Sequence, residues 1–533
     1  MGAVCAVSLC HGLTIQKACA LAESTAQGGS NAQAVHALGQ TGENINIGLI
    51  AGRNVLTTHE AFYDKDVNGN PTGSTHVFNY DFSGDGIAPV NHDTWMAGIA
   101  VSRGGYYYPD DIGVAPGAYL HCARAANNSY NTYPSWVDNA LDELITGQNC
   151  RVIVTGFSLG TAVVPDGQSV WTLLYDYYAY RYNVIFANAA GNENPQIAIF
   201  GDVYNGITTG GLDVTYNDNY GRVGSLSNSG PTADGRRKPD LAAPSLNQTM
   251  PDTASNNSWL TWTSSGGHTS LSVPHTAGVA ALLLGLADDT PDPCDSQNEV
   301  IRAAIVNSTF PNILDKSGNP TDPAVWNKDK GYGRIDALRA YQILDSNRIS
   351  AGTNSTGEKG WAFNTISHSQ QHTYTIYAPR RYRLTATLTW DRRVEWTDTL
   401  HPYLADLDLE IYEPNNPNPI FSKQLAGFDP NDNLIKCDIP LATTGQYTLK
   451  VVNHSTGESA YYGLVFELLP PLPGDFDLNY IVDYNDLVEI TDNWLLPVSD
   501  FDADLFADGF IDFSDFALFA DSWLTSDPAY YQN

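Results

Sequence analysis

Three rhythms of apolar and polar residues divide the 533-residue chain. Up to about residue 345, short apolar runs alternate with helix-spaced stretches. Residues 44–50 (NINIGLI), 118–123, 151–155 and 184–189 (VIFANA) are β-rich and brief, so each predicts a buried strand. From His92 the apolar residues Trp95, Met96, Ile99 and Ala100 predict a helix, and residues 135–144 predict another. Residues 263–286 (TSSGGHTSLSVPHTAGVAALLLGL) open on small residues and close on an uncharged apolar run. Apolar nearly all round, the part after Ser270 predicts a buried helix, with Pro274 placed in about its first turn. Strands alternating with helices predict a parallel α/β sheet. Residues 350–470 switch to period two, as in Leu384-Ala386-Leu388-Trp390 and Tyr462-Leu464-Phe466, which predicts a β-sandwich. From Gly474 onward every charged residue is acidic and the chain repeats itself.

Candidate chemistry sits where these rhythms change. Ser270 stands where a loop becomes a helix, so its hydroxyl is exposed beside unpaired N–H donors and a positive helix end. Most serines in such a place only cap the helix. His92 opens a helix, and Asn192 follows the strand 184–189. Gly156-Phe157-Ser158-Leu159-Gly160 follows the strand 151–155 and satisfies G-x-S-x-G, the nucleophile elbow of α/β-hydrolases. Asp240 with His268 or His275 would complete its triad, but residues 161–168 read as a proline-containing loop where an elbow needs a helix. In the tail, Asp475, Asp477, Asn479, Asp483 and Asp486, with the Ile481 carbonyl, occupy loop positions 1, 3, 5, 9, 12 and 7. Asp504, Asp508, Asp512 and Asp515, with the Phe510 carbonyl, repeat the pattern. Oxygen ligands so spaced suit calcium. Each copy closes on Trp-Leu, at residues 494–495 and 523–524. Tyr480 replaces the glycine of the first loop, and Phe506 removes a ligand from the second.

Read together, these segments resemble the subtilases, the subtilisin-like serine proteases. Thr269, Ser270, Pro274, His275, Ala277 and Gly278 match G-T-S-x-x-x-P-H-x-A-G, with His268 in place of the first glycine. His92, Thr94, Ala97 and Gly98 match H-G-T-x-V-A-G, with Asp93 in place of glycine. Residues 113–117, 190–192, 227–231, 238–244 and 331–337 resemble further family segments in the family's order. The resemblance implies Ser270 as nucleophile, His92 as base and Asn192 as oxyanion donor. It also implies a groove along Ser158, Leu159 and Gly160 for an extended protein or peptide substrate. The family's aspartate belongs at the end of the first strand; here Ala51 or Gly52 occupies that place, and Asp93 and Asp85 are the candidate substitutes. Residues 384–412 resemble a jelly-roll domain that follows some alkaline subtilases, and the acidic repeat resembles the paired calcium loops of dockerins, which bind cohesin domains. The expected organisation is an N-terminal segment with weak signal character (1–29), a subtilisin-like peptidase domain (30–348), a β-sandwich (349–472) and a small α-helical calcium-loop domain (473–527).

Composition narrows the partners. A net charge of −32 repels phosphate backbones and anionic membranes, so neither nucleic acid nor membrane insertion is expected. Seven cysteines without a C-x-x-C pair argue against zinc or redox sites. Three functions remain: a secreted or cell-surface serine endopeptidase with calcium as cofactor and a cohesin-like partner; a peptide-binding pseudoprotease on the same fold; and an α/β-hydrolase using Ser158.

Overall fold

The computed structural model describes residues 21–159, 163–192, 196–215, 219–355, 357–495, 503–506 and 509–523. Its first region is built on one twisted sheet. In spatial order the strands are Leu241–Pro244, Gly206–Asp213, Ile185–Ala189, Val152–Thr155, Asn46–Ala51, Tyr119–Arg124 and Val77–Asp81, each parallel to its neighbours. The short strand Arg222–Val223 pairs antiparallel with Gly206–Asp213. The inner strands are buried along their length, which explains their unbroken apolar runs.

The helix Thr269–Asp288 packs beneath five of these strands and against the helix Asn91–Val101. Every residue from Thr269 to Ala287 is buried. It is long and apolar enough to cross a bilayer, but protein surrounds it on every side. Pro274 lies inside this helix rather than in its first turn. Without an N–H, Pro274 cannot bond the carbonyl of Ser270 four residues back.

The entry to that helix is a close backbone contact. Gly267 has φ of 74°, and a Cβ there would lie 2.7 Å from Gly224 Cα and 2.9 Å from the Gly211 carbonyl oxygen. Leu226 N–H donates to the Gly266 carbonyl at 2.6 Å and Gly224 N–H to Gly211 at 2.9 Å. The turn that delivers Ser270 is therefore clamped by main chain on two sides.

Residues 354–469 form two four-stranded sheets around a separate apolar core. One of them rests on the helix Asn298–Asn307 through the strands Arg383–Trp390 and Ala460–Leu469. A Cβ on Gly463 would lie 2.5 Å from the Glu299 carbonyl carbon, so strand and helix meet backbone to backbone. Buried ion pairs stitch the seam: Arg302 to Asp391 at 2.5 Å, and Arg392 to Asp176. Lys436 Nζ donates to the carbonyls of Val306 and Asn307. Cys122, Cys150 and Cys437 are buried and Cys294 half-buried, and none of the four forms a disulfide.

Replacing Gly267 with alanine combines a left-handed backbone with two sub-van-der-Waals contacts. Denaturant unfolding should show a loss of about 1–3 kcal/mol. An unchanged midpoint would mean that the clamp does not constrain the turn.

Candidate active site

The site lies where the parallel strands end. Beyond Asn46–Ala51 comes Arg53, beyond Val152–Thr155 comes Gly156, and beyond Ile185–Ala189 come Gly191 and Asn192. Loops at this edge of an open α/β sheet are the usual place for reacting groups.

His92 and Asp93 sit in the first turn of Asn91–Val101. His92 Nδ1 is 3.1 Å from Asp93 Oδ1. The other oxygen, Oδ2, accepts the Arg53 backbone N–H at 2.8 Å. The strand end thus offers an amide donor in the place where a carboxylate was expected. A carboxylate instead reaches the ring from the neighbouring residue, Asp93, and is held by that amide. Asp93 is buried, whereas the His92 side chain is 43% exposed. Burial lowers the His92 pKa, but the hydrogen bond and charge of Asp93 outweigh it and leave the imidazole above its usual value. With Nδ1–H donated to Asp93, Nε2 is the nitrogen open to a substrate. Asp85 is engaged elsewhere: it accepts Asn128 N–H at 2.6 Å and lies 3.5 Å from Arg124.

Ser270 is the second residue of its helix and only 5% exposed. A Cβ on Gly156 would lie 3.5 Å from Ser270 Cβ and 2.3 Å from the Met96 thioether. Met96 is one turn beyond His92, so Gly156 marks where the helix of His92 and the helix of Ser270 meet. Asn192 completes the cluster. Its Oδ1 accepts both Thr269 N–H at 2.7 Å and Thr269 Oγ–H at 2.8 Å. Two donors on one oxygen turn its NH2 edge away from Thr269. Gly191 N–H donates to Thr269 Oγ1 at 3.1 Å, fixing the turn.

His268 caps this helix without a side-chain cap bond. Its ring meets Trp262 edge-on at 5.3 Å, and Trp262 lies 5.2 Å from Trp95, forming an aromatic wall. Burial lowers the His268 pKa, and the charge of His92 adds to that. His275 faces the interior: its ring nitrogens lie 3.2 Å from Ser30 Oγ and 3.1 Å from Gln248 Oε1, and burial pushes it down to about 3.

The elbow centred on Ser158 is corrected by the geometry. After Val152–Thr155 the next helix is Val170–Tyr182, so Ser158 lies on an open loop. Asp240 is bound to Lys238 at 2.7 Å and to Thr208 N–H, away from both histidines. Ser158 is exposed and Leu159 half-buried beside Ser270's neighbour Gly156, while Gly160 lies outside the described residues.

Far from this cluster, Asp475, Asp477 and Asp486 gather oxygens within 4.8 Å of one another. Burial, with the Asp486 charge adding, pushes Asp475 up to about 7. The set is oxygen-only, and the nearby Arg381 donates to the Asp475 carbonyl rather than to the carboxylates, which fits calcium. Asn479 Oδ1 accepts Ile481 N–H, and Asp483 caps the helix Tyr484–Asp492 with Asp486 reaching back. In the second loop Asp504 accepts Gly509 N–H, and Asp512 with Asp515 repeats the capping box on Phe513–Asp521. Phe510 is exposed, and Asp508 lies outside the described residues. Tyr480 takes the left-handed φ of the glycine it replaces, 72°. Its hydroxyl donates to the Asp438 carboxylate at 2.7 Å and its ring lies 4.4 Å under Arg383, so it anchors the loop to the β-rich region.

Residues 54–337 match the family model described as the subtilase family. Human membrane-bound transcription factor site-1 protease is 26% identical over 273 residues, 49% of this chain and 22% of that protein. Pyrolysin from Pyrococcus furiosus is 26% identical over 266 residues, 44% of this chain and 18% of that protein. The matched stretch thus spans less than a quarter of either relative. A solved structure, that of the prenylagaramide maturation protease PagA, aligns over 59% of this chain and 98% of its own at 18% identity and a TM-score of 0.45.

Asp93→Asn keeps the shape of the pair and removes its charge. A titration of the His92 ring protons by NMR should then give a pKa lower than in the parent protein. A value that stays put would show that Asp93 does not govern the ring.

Proposed function

The chain belongs to the subtilase family, and from that membership we propose that it is a serine endopeptidase whose triad acid is Asp93. The observation that carries this reading is the Asp93 carboxylate bridging His92 Nδ1 and the Arg53 amide. Ser270 Oγ attacks the substrate carbonyl while His92 Nε2 takes its proton. Asp93 holds the ring in the Nδ1–H tautomer and stabilises the imidazolium. The Ser270 N–H and the Asn192 NH2 face the oxyanion. His92 then returns the proton to the leaving amine, and water repeats the cycle on the acyl group. An extended chain runs along Ser158, Leu159 and Gly160. We place calcium in the acidic loops, where it would neutralise the converging carboxylates. A cohesin-like partner and an extracellular or cell-surface location complete the proposal.

A fluorophosphonate should label Ser270, and Ser270→Ala should abolish both labelling and casein hydrolysis. Asp93→Asn should cut kcat by roughly 10^4, the usual cost of the wrong histidine tautomer. Its acidic limb should move to lower pH, because the base loses the charge that raised its pKa. A protein that folds yet takes no label and cleaves nothing would be a peptide-binding pseudoprotease, and label on Ser158 would refute the Ser270 assignment.

The acidic loops have their own test. Chelation should lower the helical circular dichroism of the C-terminal repeat and calcium should restore it; a spectrum indifferent to both removes the metal.

A further inference from the structure

The helix Leu21–Thr25 lies against the strand Gln248–Pro251, which also packs on the His92 helix Asn91–Val101. Leu21 is fully buried. Its side chain joins Ile99, Met250 and Leu271 in a small apolar cluster. Ile99 belongs to the helix that carries His92, and Leu271 directly follows Ser270. One residue far from the reacting groups in sequence thus shares a core with the supports of both the base and the nucleophile.

The Leu21 main chain meets a buried acid. Its N–H donates to Asp111 Oδ1 at 2.6 Å, and the Ala22 N–H bonds the same carboxyl. Asp111 is 3% exposed. Buried carboxylates such as Asp176, Asp391 and Glu467 each face an arginine, but among the described residues no cation pairs with Asp111. The charged side chains that act on it, Asp110 and Glu23, are both acidic. Burial pushes Asp111 up to about 6 against the pull of the two amides, and those two charges add to the rise. The main chain of Asp111 is tied in turn to the end of the His92 helix: Ser102, its C-cap, donates Oγ–H to the Asp111 carbonyl at 2.7 Å.

The cation that Asp111 lacks is one bond cleavage away. Residues 18–20 are Ala-Cys-Ala, small residues in the A-x-A pattern after which leader-removing peptidases cut. We propose that the Ala20–Leu21 peptide bond is a processing site, and that the α-ammonium released on Leu21 pairs with Asp111 and locks the helices of His92 and Ser270 in place.

Water adds across the amide. Its oxygen goes to the Ala20 carbonyl carbon, the C–N bond breaks, and its two protons end on the Leu21 nitrogen, leaving a carboxylate and an ammonium. An α-amine stays protonated up to about pH 8, and a carboxylate within hydrogen-bond reach extends that range. The Leu21 nitrogen already stands 2.6 Å from Asp111, so a neutral donor becomes a cation without any movement of the backbone. A five-residue helix does not hold by itself, so the bond is open to a peptidase before the segment docks. A charge-assisted bond then holds Leu21 in its cluster more firmly than an amide does. The cut and the ion pair stand on this geometry alone; their effect on catalysis rests on the endopeptidase reading.

The test uses the full chain carrying Lys17→Ile, Ala18→Glu, Cys19→Gly and Ala20→Arg, a sequence that factor Xa cuts after residue 20. One sample is compared before and after the cut by thermal unfolding and by the rate at which a fluorophosphonate labels Ser270. Cutting should raise Tm by several degrees and speed labelling several-fold. Asp111→Asn in the same chain, which still accepts both amides, should gain neither. The unaltered chain, exported from a bacterial host, should begin at Leu21 by mass spectrometry. A cut chain no more stable than the uncut one would overturn the proposal. So would an Asp111→Asn chain that gains as much as its parent, or an exported protein that begins elsewhere. A Tm gain with an unchanged labelling rate would strike the link to the active site. A Tm gain with no label in either form would support the ion pair and refute the endopeptidase reading instead.

Discussion

One carboxylate organises the reacting end of this molecule. Asp93 reaches sideways to the ring of the preceding residue and backwards to the Arg53 amide. It therefore fixes the ring, and it also ties the first turn of the histidine helix to the end of the first strand. Its negative charge lies at a helix start, where unpaired N–H groups and the dipole favour it. Arg53 does not compete for that charge. Its guanidinium donates to the Asn127 and Asn128 carbonyls and lies 4.1 Å over the Tyr130 ring. A carboxylate on the helix thus leaves the His92 ring with an acceptor, and the amide at the strand end holds that carboxylate in place.

The serine depends on a different constraint, the fit of its helix beneath the sheet. Burying a helix on all faces demands small residues at close contacts. A Cβ on Gly278 would lie 2.5 Å from Val114 Cβ, and one on Gly285 2.5 Å from Gln40 Oε1. These contacts, with the clamped turn at Gly267, leave the helix little freedom to shift. Ser270 and Asn192 are then set by one packed object: Thr269, between them, is bound to both Asn192 and Gly191.

The remaining regions are attached by apolar and polar contacts together: Trp361 and Val465 join the core that holds Val300 and Ile301, and Leu469 and Tyr480 pack with Leu212 and Phe310. The seam buries arginines against single carboxylates, and the C-terminal repeat hangs on Tyr480 and Asp438. Breaking one partner of such a buried pair strands the other, at about 3–5 kcal/mol. The seam therefore tolerates little change in its charges.

The run of short apolar strands, the all-round apolar helix after Ser270 and the period-two stretch after residue 350 each followed from side-chain pattern, because burial on two faces, on all faces or on one face demands different spacings. The positions of Ser270 and His92 at helix starts and of Asn192 after a strand were legible for a related reason: a loop-to-helix or strand-to-loop change is local, and a few residues suffice to write it. The motif at Ser158 was ambiguous because G-x-S-x-G says nothing about whether a helix comes next; the proline-containing stretch after it argued against an elbow, and the next helix begins only at Val170. Asp93 could be named only as one of two candidate acids, and Tyr480 read as a damaged calcium loop, because the Arg53 amide and Asp438 that hold them are far along the chain. Arg53 is 40 residues from Asp93 and Asp438 is 42 from Tyr480. Sequence alone determined which segments had to be buried and where chemistry could emerge; only tertiary structure decided which acid serves His92, because a hydrogen bond depends on distance in space and the chain order does not encode it.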